Sequence, residues 1–169
     1  MGAAYELGEP GTTPAMTDAT TYRSMTATTL QTAATVVAGT FLLVGVLGFI
    51  PGVTTDYDSM TFAGHESNAQ LLGIFQVSIL HNIVHLLFGI AGLVLATTWS
   101  GARAYLIVGG AIYLVLWIYG LLIDHQSTAN FVPLNDADNW LHLVLGAGMI
   151  VLGLALGRTP QASDRPGPL

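Results

Sequence analysis

The stretch Leu80-His-Asn-Ile-Val-His-Leu-Leu-Phe-Gly-Ile-Ala-Gly-Leu-Val-Leu-Ala-Thr-Thr98 decides the fold of this chain. It holds no Asp, Glu, Lys or Arg, and about 20 such residues in a helix cross the roughly 30 Å of hydrocarbon in a bilayer. Working outward, three more apolar stretches of that length appear, at about 28–50, 102–123 and 140–157. Pro51-Gly52 stops the first, and a tight Trp99-Ser-Gly-Ala turn is expected before the third. Gln31 and several threonines dilute the entrance of the first span. Leu71–Val77, interrupted by Gln76, reads as an interfacial lead-in to the span at 80–98. Residues 26–157 thus form a four-span membrane domain, and the fold class is an all-α integral membrane four-helix bundle. Residues 1–25 and 158–169, rich in small residues and proline, read as disordered tails. No charged start leads into a short apolar core in the first of them, so a cleaved signal peptide is not expected.

Composition agrees. Of 169 residues, 52% are hydrophobic and only 8% are charged, against about 25% charged in a soluble domain. The partner implied is the lipid bilayer. The cations are four arginines with no lysine, set against ten acids. Nothing here could neutralise a run of phosphates, so nucleic acid is not a partner. Without cysteine, thiolate chemistry is excluded. Arg23 precedes the first span, Arg103 lies in the second connection, and Arg158 and Arg165 follow the fourth span. The positive-inside rule then places both termini in the cytoplasm, in the cell membrane of the organism. Trp99 and Tyr105 near one boundary, and Trp117, Tyr119 and Trp140 near the other, fit aromatic belts.

An internal comparison adds a feature. His81-Asn-Ile-Val-His-Leu-Leu-Phe-Gly89 and Asp138-Asn-Trp-Leu-His-Leu-Val-Leu-Gly146 share the pattern N-x-x-H-L-x-x-G. Both open spans that run in the same direction, so the bundle reads as two tandem two-helix repeats rather than a chance likeness of leucine-rich segments. The repeat puts His85 and His142 at equal depth. Helical spacing aligns Asn82, His85 and Gly89 on one face, and Asn139, His142 and Gly146 on the other copy's face. Small residues on such faces let helices approach closely in lipid.

The runs Gly45–Gly52, Leu72–Gly89 and Pro133–His142 together resemble the domain-of-unknown-function family 4383. The resemblance covers about Val36–Gly157. It implies a four-helix bacterial membrane protein, mainly actinobacterial, and carries no activity, substrate or catalytic residue.

Chemistry concentrates toward one end of the spans. All five histidines lie there, with Asp56, Asp58, Glu66, Asp124, Asp136 and Asp138. His81 and His85 stand one turn apart, a spacing that can bring two imidazoles to one metal, with His142 and Asp138 as the matching pair of the second copy. Imidazole and carboxylate suit a transition metal such as zinc, copper or iron. His85 and His142 are alternatively the two axial ligands of haem b. A third reading makes the polar residues structural, with Asn82 hydrogen-bonded to His142 and Asn139 to His85 across the bundle. A fourth is a proton relay or pH sensor. No span carries a polar stripe through its full thickness, which argues against a channel. Ser78 beside His81 lacks an oxyanion-hole signature and is expected to begin a helix. No catalytic residues are assigned. The expected role is non-enzymatic: structural, accessory or sensory, acting through a membrane-protein partner or as a homo-oligomer. The alternative is a haem- or metal-binding membrane protein. An enzyme acting on lipid or quinone would need a lipid-accessible groove opening onto His85.

Overall fold

The structure, a computed structural model, describes residues 28–158. The expected tails, apart from Arg158 and with them Arg23 and Arg165, lie outside the described residues.

Four short polar residues start the helices. Thr28, Ser78, Thr98 and Asn135 each accept a hydrogen bond from a backbone N–H in the first turn, at 3.3, 3.1, 3.1 and 2.9 Å. Each satisfies one of the donors that a helix start leaves free. From these caps run α1 (Thr29–Leu47), α2 (Ile79–Ala96), α3 (Trp99–Leu122) and α4 (Asp136–Ala155). Ser78 begins a helix as its type suggests. The expected turn at Trp99–Ala102 is instead the first turn of α3, because Thr98 caps it, and only Thr97 and Thr98 separate α2 from α3.

Gln31, read in the sequence as weakening its span, secures two helix ends. Its Oε1 accepts from the Thr28 backbone N–H at 3.1 Å, completing a capping box. Its Nε2 donates to the carbonyls of Ala96 and Thr97 at 3.1 and 3.0 Å, at the free C-terminus of α2.

All four helices are long and apolar enough to cross a membrane, and a third or less of each apolar window is buried within the bundle. Val36, Leu43, Val94, Val108, Val115, Leu122 and Val144 are all more than half exposed. An apolar surface of that extent requires an apolar solvent, so this is a four-helix membrane bundle. α1 packs chiefly on α2, and α3 chiefly on α4, each pair antiparallel. Glycine governs both seams. A Cβ on Gly48 would fall 2.1 Å from Oδ1 of Asn82, and one on Gly120 would fall 2.0 Å from Oδ1 of Asn139. Gly89 faces Leu42 and the Ala38 carbonyl, and Gly146 faces Leu114 and the Gly110 carbonyl. Between the pairs sits an aromatic core: Phe41 meets Phe88 at 4.8 Å and Tyr113 at 5.3 Å, and Phe88 meets Tyr105 at 5.2 Å. Tyr105 is therefore a core residue, 4% exposed, and not part of an interfacial belt. The ring lies on the face of α3 that packs on α2.

The long connection between α1 and α2 adds a small antiparallel sheet, β1 (Thr54–Thr55), β2 (Gln70–Leu71) and β3 (Phe75–Gln76), in the order β1-β2-β3. Thr54 pairs with Leu71, and Leu71 with Phe75. The expected interfacial lead-in at Leu71–Val77 is thus a β-hairpin. Leu72 and Gly73 both take positive φ, 56° and 69°, which reverses the chain within three residues, and glycine makes that inexpensive. Ala69, Leu71 and Val77 pack against Val44 and Leu47 of α1.

Candidate functional site

The cap at Ser78 puts His81 in the first turn of α2 and His85 in the next. Their rings stack, with centroids 4.5 Å apart and planes 15° from parallel. The His85 ring also meets Phe41 at 5.6 Å. His142, in the second turn of α4, presents its ring edge-on to Tyr113 at 5.1 Å and 77°. The three histidines are 5, 8 and 5% exposed in chain order. Nδ1 of His85 lies 3.0 Å from the His81 carbonyl oxygen. A carbonyl oxygen only accepts, so Nδ1 carries the proton and Nε2 keeps a free lone pair. Nδ1 of His81 and Nδ1 of His142 are buried without a partner among the described residues. An orphaned acceptor costs less than an orphaned N–H, which favours the Nε2–H form for both.

The three imidazoles line one cavity of about 320 Å³ between α2, α3 and α4. Val84 from α2 and Tyr113, Val115, Leu116 and Tyr119 from α3 form its sides, and Phe131, Val132 and Leu134 close it from the last connection. The rim is apolar and faces outward: Val84, Val115 and Phe131 are 43, 65 and 56% exposed. The closing loop is fixed by Asn130, fully buried, whose Nδ2 donates to the His125 and Leu134 carbonyls at 3.0 and 3.1 Å. Its Oδ1 accepts from the Leu134 N–H at 2.9 Å. The Tyr119 hydroxyl donates to the Ala129 carbonyl, tying α3 to the same loop.

Other candidates take different places. Asp138 is turned away from the histidines: its Oδ2 accepts from the backbone N–H of Gln76 at 3.0 Å and of Asn135 at 3.1 Å. It closes a capping box and pins the hairpin to α4. The cross-bundle bonds Asn82–His142 and Asn139–His85 are not formed. Asn82 and Asn139 lie against Gly48 and Gly120 of the adjacent helix instead, and the Asn82 amide reaches only the Met60 sulfur at 3.9 Å. Among the described residues no group of three or more His, Asp or Glu is arranged to hold a metal ion. The stacking of His81 on His85 explains part of this: lone pairs in near-parallel planes do not converge at the roughly 2.0–2.1 Å of a zinc–imidazole bond. His125 serves the loop, its Nε2 being 2.9 Å from the Gly120 carbonyl.

The profile of a family described as a domain of unknown function, DUF4383, matches residues 31–155, well over half of the chain. The chain belongs to that family. No curated protein and no solved structure matches it. Membership agrees with the bundle and brings no activity, so the site must be read from its own chemistry.

The cavity walls supplied by α3 and by the last connection had little signature in the sequence. Phe131-Val-Pro-Leu134 is an apolar run inside a polar connection, and that run was the available sign of a loop folded back onto the bundle.

Proposed function

We propose that this chain is a non-enzymatic accessory or sensory protein of the cell membrane that holds a small lipid-soluble ligand between α2, α3 and α4. One observation carries the reading: an apolar recess of about 320 Å³ that opens through apolar side chains and has three buried imidazoles in its wall. Ligand sites are mostly apolar, of ~300–1,000 Å³, with a few placed polar groups.

Orientation follows from charge. Arg103 and Arg158 lie at the end of the bundle where the described residues begin and end, while Asp56, Asp58 and Asp124 lie in the connections at the other. The positive-inside rule then supports cytoplasmic termini and a recess in the outer half of the bilayer. Tandem duplication is supported by matched contacts. Gly48 on Asn82 answers Gly120 on Asn139, Gly89 on Leu42 answers Gly146 on Leu114, and the caps Ser78 and Asn135 hold corresponding places.

The test is extraction. Protein purified in mild detergent is expected to release a lipid-soluble compound, detected by mass spectrometry, that is lost from a Val84→Trp variant whose indole fills the recess. Identical extracts from the two proteins would refute the reading. A second reading, haem b or a transition metal on His85 and His142, draws on the fixed Nδ1 proton of His85, the arrangement in which metal-binding imidazoles are commonly held. A Soret band, or for a bare ion a metal content by elemental analysis, that disappears in His85→Ala would select it.

A further inference from the structure

We infer that the ligand is a long-chain hydroquinone, its ring in the histidine recess and its tail along the seam between α2 and α3. The inference rests on the reading of the recess as a ligand site and adds the chemistry of the occupant.

The polar pattern comes first. His85 presents an Nε2 lone pair, because its Nδ1 proton is committed to the His81 carbonyl. Nε2 has no hydrogen-bond partner among the described residues, and the ring is only 8% exposed. The acceptor opens onto the recess, and among lipid-soluble occupants only one that donates a hydrogen bond satisfies it. A hydroxyl does so, and a quinone carbonyl or an ether oxygen cannot. His142, in its Nε2–H form, supplies a donor to the oxygen of the same ligand.

Size and shape come next. A hydroxyl on a bare chain needs little more than the ~30 Å³ of a water molecule, and the recess is about 320 Å³. Its wall includes the flat rings of Tyr113, Tyr119 and Phe131, against which an aromatic head stacks.

A place for the tail exists on the same seam. A second apolar recess, of about 250 Å³, lies between α2 and α3 further from the Ser78 cap, with Phe88, Ala91, Leu95, Ala104, Val108 and Gly109 in its wall. Alanine and glycine lie in its wall, and Gly109 packs so closely that a Cβ there would lie 2.8 Å from the Met149 methyl and 2.9 Å from the Phe88 ring. From Val84 to Leu95 along α2 is about 16 Å at 1.5 Å per residue. The two recesses thus give a head site and a tail path of lipid-like length, both reached from the acyl-chain side.

Calorimetric titration of the full chain in detergent with decyl-hydroquinone, the matching quinone, the hydroquinone dimethyl ether and a straight-chain alcohol of equal length tests this. The hydroquinone is expected to bind about tenfold more tightly than the quinone and the dimethyl ether, the cost of about 1.4 kcal/mol for leaving one acceptor unmet, and more tightly than the alcohol, which meets that acceptor but has no ring to stack on the aromatic wall. A His85→Phe variant should bind the three ring compounds with equal affinity. Nitrogen-15 spectra of histidine-labelled wild type should show His85 protonated at Nδ1, a readout independent of whether the variant folds. Equal affinities in wild type, an order preserved in His85→Phe, or His85 protonated at Nε2 would each overturn the hydroxyl assignment while leaving an apolar ligand site standing. An alcohol as tight as the hydroquinone would overturn the ring. Failure of all four compounds to bind would overturn this inference and, if the extracts of wild type and Val84→Trp are also identical, the ligand site with it.

Discussion

Gly110 lies where α3 crosses α4, and one methyl group added there measures how closely the two helices depend on each other. A Cβ at Gly110 would sit 2.7 Å from the Gly146 carbonyl oxygen and 2.8 Å from Cγ1 of Ile150. The first neighbour is backbone, so the helices must shift or separate. Gly148, exposed on α4, has nothing within 4 Å of such a Cβ. Both substitutions to alanine share the same gain in helix propensity, roughly 1 kcal/mol. The difference between the two variants therefore isolates the forced contact, which overpacking places at about 1–3 kcal/mol. At roughly 2–4 °C per kcal/mol for a chain of this size, Gly110→Ala should melt about 2–12 °C below Gly148→Ala. Thermal circular dichroism in one detergent reads this directly. In lipid, packing takes the place of the hydrophobic drive between helices, so the sign does not depend on burying surface from water. A Gly110→Ala protein that melts with or above Gly148→Ala would refute the close crossing.

Asn130→Ala removes three hydrogen bonds that hold the loop over the recess. A loss of roughly 2–3 kcal/mol is expected, with amide exchange at Leu134 at least tenfold faster; unchanged exchange would show that something else holds the loop. Gln31→Ala should lower the melting point by the equivalent of about 1–2 kcal/mol. Gln31→Glu keeps the α1 capping box but cannot donate to the Ala96 and Thr97 carbonyls, so it should be nearly as damaging. A Gln31→Glu protein as stable as wild type would remove the α2 contact from the account.

The four helices were legible in the sequence because their apolar lengths answer to one physical requirement, the thickness of hydrocarbon. Polar side chains were harder to place. Gln31 looked like a flaw in a span because its effect depends on where α2 ends, which no local window contains. Asp138 looked like a ligand beside His142, yet two backbone N–H groups, one from a hairpin far away in sequence, claim its carboxylate. Asn82 and Asn139 are buried like the histidines of their helices, but their neighbours are Gly48 at the end of α1 and Gly120 in α3. The hairpin at 70–76 was hidden because a stretch as apolar as Leu71–Val77 has no period that separates a strand from a membrane-edge segment. The recess has no sequence signature because its sides are ordinary valine, leucine and tyrosine, and only their arrangement leaves space.

The strand insert also breaks an equality. Leu116, Tyr119 and His81 line the recess, and under the proposed duplication their counterparts are Val44, Leu47 and Asp138. Those are residues that the insert covers, through Ala69, Leu71 and Val77 on α1 and the Gln76 N–H on α4. A doubled ancestor would offer two berths of like shape; here one has been filled with the chain's own residues. The expected stoichiometry is therefore one guest per polypeptide, admitted from one flank, which gives the bundle a front and a back.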